Sequence, residues 1–80
     1  MKQAIRPEQL RAARALVGWR QEDLAAAAKT TARTIARLEA AENIPREATV
    51  DAIRSALEAA GVEFVPENGG GAGVRLRKAG

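Results

Sequence analysis

Three residues, Lys29, Thr30 and Thr31, separate two stretches whose apolar positions recur at helical spacing. The first, from about Gln21 to Ala28, turns Leu24, Ala25 and Ala28 to one side. The second, from Ala32 to Glu39 or Ala41, does the same with Ile35 and Leu38. A break this short makes them two helices packed across each other, not one rod. Because the inward residues of the first are mostly alanine, another helix approaches it closely. Thr31 is a good N-cap for the second, since its hydroxyl accepts a backbone N–H that the first turn leaves orphaned.

The flanks obey the same periodicity. Pro7 suits a first helical turn and Glu8 the positive end of the helix dipole. Leu10, Ala13, Leu16 and Val17 then line one face, Arg14 falls on its border, and Gly18 closes the helix. Trp19 is expected in the core beneath the junction of the first two helices. Pro45 makes "ENIPRE" a loop. A fourth helix is expected from a Thr49 cap to Ala60, with Val50, Ile53, Ala56 and Leu57 inward and Gly61 closing it. The period then changes to two in "VEFV" and "VRLRK", separated by the flexible "PENGGGAG". Such runs read as a hairpin with a long loop, or as strands that pair elsewhere.

Composition removes several function classes. The 80 residues hold no cysteine and no histidine, so disulfides, thiolate metal sites and the commonest general base are all missing. Neither catalysis, a metal nor a cofactor is expected. No apolar run reaches the length of a membrane span or a signal-peptide core, so a cytoplasmic protein is expected. Charge is unevenly placed. Residues 1–46 carry nine Lys/Arg against five Asp/Glu, residues 47–67 carry five acids against Arg54, and the tail adds Arg75, Arg77 and Lys78. That polarity suits a polyanion meeting the first half of the chain, and the tail cations either touch phosphates or keep the chain soluble.

The third helix gives the polyanion a shape. Opposite Ile35 and Leu38 it presents Arg33, Ala36, Arg37 and Ala40. Methyl groups at 36 and 40 permit close approach to a major groove, where Arg33 and Arg37 can reach guanine edges or phosphates and Ala36 a thymine methyl. Thr34, on the flank, can donate to a phosphate or a base edge. Two short helices with such a face on the second are the outline of a helix-turn-helix. An ordinary solvated face is the bland alternative for the two arginines.

"QEDLAAAAKTTARTIARLEAAENIPR" resembles the DNA-binding domain of the phage repressor/Cro family, the Xre-type regulators, over residues 9–62. Gly18, Gln21, Leu24, Ala25, Thr31, Ile35, Leu38, Glu39 and Pro45 carry the resemblance by their order and spacing. It implies a mostly α fold: a compact helix-turn-helix bundle of four short helices (lambda-repressor-like) over 1–61, with a C-terminal strand–loop–strand arm over 62–80. It also implies that Ala32, Arg33, Thr34 and Arg37 meet base edges, and that Gln21 and Arg46 hold backbone phosphates. Arg14 and Glu39 match a buried ion pair between the first and third helices. The chain departs from the family pattern at three places. Lys29 replaces the usual turn glycine, Ala40 and Ala41 replace a polar residue and a glycine, and Arg20 stands where a small cap is common. Arg20 and Lys29 are the further candidate phosphate ligands.

The partner expected is double-stranded DNA, bound by a homodimer, because one recognition helix alone binds weakly and two half-sites suit a pair. Val62, Phe64, Val74 and Leu76 are the candidate dimer interface, unless the arm caps its own domain. The leading expectation is a transcriptional repressor associated with the nucleoid. The alternatives are an antitoxin that binds a toxin partner and represses its own promoter, and a protein-interaction module without DNA binding. The chain leaves no space for a ligand-sensing domain, so control is expected from concentration, degradation or a partner protein.

Overall fold

A computed structural model describes residues 5–42, 46–67 and 69–77. Four helices come first: α1 (Pro7–Val17), α2 (Gln21–Ala28), α3 (Ala32–Glu39) and α4 (Glu47–Ala59). Two strands follow, β1 (Val62–Val65) and β2 (Gly73–Leu76), paired antiparallel with Val62 opposite Leu76 and Val65 opposite Gly73. Pro45, Ile44 and Lys78 lie outside the described residues.

Pro7 occupies the first turn of α1, and Gly18 ends it with φ 71°, a left-handed conformation that costs glycine nothing. Lys29 ends α2 in the same way at φ 57° without that freedom, and Ala41 follows α3 at φ 58°. Two junctions around α3 therefore carry a Cβ in a region L-residues avoid, at roughly 1 kcal/mol each.

α2 packs between α3 and α4, with α1 across α3. Leu24, Ile35, Ile53, Leu57 and Val62 are fully enclosed, and Leu10, Ala13, Ala25, Ala28 and Leu38 complete the core. Trp19 is half-buried against it, beside Val17.

Two expectations need correction, and the arm takes the alternative of capping its own domain. α4 starts at Glu47 behind Arg46, so Thr49 is an ordinary helical residue of its first turn and not the cap. Leu16 is 40% exposed, although its neighbour Val17 in the same turn of α1 packs against the core. The hairpin folds back on its own helices, β1 against α4 and both strands against α1. Val62 is consequently enclosed in its own core and offers nothing to a second copy. Phe64 and Val74 are half-buried on the same core, and Leu76 remains 51% exposed.

Candidate nucleic-acid interface

The turn before α3 fixes how that helix begins. Thr31 is its N-cap, with Oγ1 accepting the Thr34 N–H at 3.1 Å while donating to Thr34 Oγ1 at 3.0 Å. Thr34 is half-buried, and its hydroxyl keeps its own proton free to donate outward. From that start, helical spacing sends Ile35, Leu38 and Glu39 inward and leaves Arg33, Arg37 and Ala40 exposed. Ala36 lies half-buried between the two arginines in sequence. Ala32 behaves differently, since its methyl packs against the core. Among the described residues, neither Arg33 nor Arg37 makes a hydrogen bond or ion pair, and both side chains are exposed.

The residues expected on phosphates divide into two groups. Lys29, at the α2–α3 turn, and Arg46, at the start of α4, are exposed and engage no partner among the described residues. Arg20 and Gln21, at the start of α2, are already engaged. Arg20 Nε lies 3.5 Å from Asp23 Oδ2, and the same carboxylate oxygen accepts the Arg20 backbone N–H at 2.9 Å. That backbone hydrogen bond is the main reason the Asp23 carboxyl sits below its ordinary pKa. Gln21 Nε2 donates to Glu39 Oε1 at 3.1 Å, turning one amide hydrogen inward, and among the described residues the other has no acceptor.

Glu39 is the centre of the arrangement behind this surface. Its side chain is 6% exposed, and Arg14 grips it with two parallel bonds, Nε to Oε2 at 2.5 Å and Nη2 to Oε1 at 2.8 Å. Arg14 Nη1 also donates to the Trp19 carbonyl at 3.0 Å, so one guanidinium ties the end of α1 to α3. Burial pushes the Glu39 carboxyl up. Hydrogen bonds from Arg14 and Gln21 and the charges of Arg14 and Arg11 outweigh it, and the net pKa is lowered. The hydrogen bond to Glu39 raises Arg14 in return. The bidentate pair with its third donor leaves the carboxylate satisfied, which is the condition for a buried charge to be tolerated.

Two polar residues here escaped sequence reasoning. Arg11 Nη1 donates to the backbone carbonyl of Glu39 at 2.5 Å. Gln9, 6% exposed, accepts the Arg6 N–H at 2.9 Å and donates to the carbonyls of Gly73 at 3.0 Å and Val65 at 3.4 Å. The three bonds that Arg11 and Gln9 donate run to backbone carbonyls far away in the chain, and no side-chain pattern announces them.

Taken together, an inward-locked helix exposes small residues and two arginines, flanked by Lys29 and Arg46, and none of these four cations has a partner among the described residues. A family model described as a helix-turn-helix domain matches residues 8–65. No curated protein matches the chain.

Proposed function

The chain belongs to the helix-turn-helix domain family, whose members bind DNA, and from that premise we propose that it is a sequence-specific regulator of transcription of the Xre/Cro type. In this reading α3 enters the major groove, Arg33 and Arg37 read base edges, and Ala36 allows the approach and meets a thymine methyl. Thr34 serves the flank. Lys29, Arg46 and the free amide hydrogen of Gln21 hold the phosphates that set its register. Arg20 joins them when a phosphate displaces Asp23. Repression follows by occluding a promoter, with the protein in the cytoplasm on nucleoid DNA.

The observation that supports this best is the pair of faces on α3. One is locked into the core by Ile35, Leu38 and Glu39, and the other leaves two arginines without partners among the described residues. A solvated structural helix gains from pairing such cations along its own surface; among the described residues this one shows no such pair.

A dimer suits the reading, because two half-sites multiply a weak single contact. Among the described residues, Leu76, exposed on β2, and Leu16, exposed on α1, are the large apolar side chains left for a second copy, with Phe64 and Val74 at the border.

The deciding experiment is selection of bound sequences from a random duplex library, followed by two substitutions. Arg37→Ala is expected to reduce discrimination between selected and random duplex by about 1–3 kcal/mol. Arg46→Ala is expected to weaken binding to every duplex and to lower the salt slope by about one unit. Equal effects of Arg37→Ala on both duplexes would remove its base-reading role. Binding to no duplex even at low salt would leave a protein-interaction module as the better reading.

A further inference from the structure

The end of α3 is held in an unusual way. The last four carbonyls of a helix lack intrahelical donors and must find others. Around the end of α3, backbone N–H groups serve three. Ala40 donates to the Ala36 carbonyl at 3.0 Å, Glu42 to Arg37 at 2.9 Å and Ala41 to Leu38 at 3.2 Å. The Glu39 carbonyl is served from another helix, by Arg11 Nη1 of α1 at 2.5 Å. Arg11 precedes Arg14 by three residues, close to one turn, and Arg14 grips the carboxylate of that same Glu39. α1 therefore holds residue 39 at two points, by its backbone and by its side chain. The cation also sits at the negative end of the α3 dipole. Just beyond, Ala41 takes its left-handed turn without a glycine, so the helix ends where its own sequence gives little instruction to end.

We infer that Arg11 is a positioning residue for DNA reading: its guanidinium, docked on the Glu39 carbonyl, fixes where α3 stops and so the angle at which Arg33, Ala36 and Arg37 meet a groove. This rests on the proposed function for its DNA part alone. The clamp itself is a feature of the free protein. Arg11 is exposed apart from this bond, so a phosphate contact is the competing role, and it makes different demands on the data.

The test uses the full chain with Arg11→Met, Arg11→Lys and, as a control for lost charge, Arg6→Met. Amide hydrogen exchange without DNA is expected to be severalfold faster at Ala40, Ala41 and Glu42 in Arg11→Met. Arg11→Lys and Arg6→Met are expected to stay near the parent. With DNA, the affinity ratio between the selected duplex and a random one is expected to fall about threefold to tenfold in Arg11→Met, with an unchanged salt slope and recovery in Arg11→Lys. Unchanged exchange at those three amides overturns the clamp. Equal losses on both duplexes, with a salt slope shallower by about one, make Arg11 a phosphate ligand and overturn the positioning role. A parent chain that discriminates no duplex overturns the DNA part together with the proposed function, and the exchange data separate that failure from a failure of the clamp.

Discussion

Glu39 is an acid kept ionised inside the protein because three donors converge on its carboxylate oxygens. The consequence is a defined response to acid. The folded carboxyl has a lowered pKa, so its stabilisation is complete above the ordinary glutamate value near ~4.3 and is lost as the pH falls through the folded value. Asp23 titrates in the same direction. Thermal melts at decreasing pH are therefore expected to drop below about pH 4.5. Arg14→Met leaves the enclosed carboxylate without its main partner, and a loss of about 3 kcal/mol is expected at neutral pH. Burial, the largest single influence on this carboxyl, is then opposed by Gln21 and Arg11 without Arg14, so for this variant mild acidification is expected to narrow the gap to the parent. Denaturant unfolding of both proteins at pH 7 and pH 5 checks the sign. Lys29 gives the opposite kind of prediction. Its φ of 57° is strained, so Lys29→Gly is expected to raise stability by about 0.5–1 kcal/mol, the relief being partly offset by the freer unfolded chain. The same variant should bind all duplexes more weakly if the ammonium holds a phosphate. A melting curve and a salt titration separate the two effects.

Among the elements, the helix pair around residues 29–31 was the most legible in the sequence, because period, cap and break all agree there. Thr31→Ala removes that agreement at one point, and about 1 kcal/mol of stability should go with it, with faster exchange at the Thr34 amide. The start of α4 was less legible. Thr49 looks like a cap by residue type, yet the chain turns helical at Glu47 behind Arg46, whose side chain caps nothing. Residue type predicts which cap is good and says little about which one the neighbouring loop permits. Leu16 was misplaced for another reason: periodicity names a face of a helix, and how far along that face other elements extend is decided by tertiary packing. Among the candidate site residues, Arg33 and Arg37 could be assigned to an outer face from the wheel alone. The engagement of Arg11 and Gln9 by backbone carbonyls 28 to 64 residues away could not, since those acceptors carry no residue signature, and that of Gln21 by the Glu39 carboxylate could not because it depends on how α2 packs on α3.

Considered as a whole, the molecule depends on its hairpin more than a division at residue 61 suggests. Val62 is fully enclosed with Leu57 and Ile53, and Gln9 binds both strands at the loop end of the hairpin, through the paired residues Val65 and Gly73. Removing residues 62–80 would uncover that region and leave the Gln9 amide without its acceptors. Val62 alone accounts for about 1.5–3 kcal/mol of burial. A chain ending at 61 is therefore expected to melt cooperatively only at markedly lower temperature, or not at all, in circular dichroism. A native-like transition in that fragment would show the arm to be an appendage.

The double grip of Arg14 on Glu39 also bears on how such a sequence can drift over generations. A change at either position alone passes through an intermediate with a stranded charge, a step that costs stability. In aligned descendants, sites 14 and 39 should be replaced jointly, by a second matched couple or by two greasy side chains, and seldom one at a time.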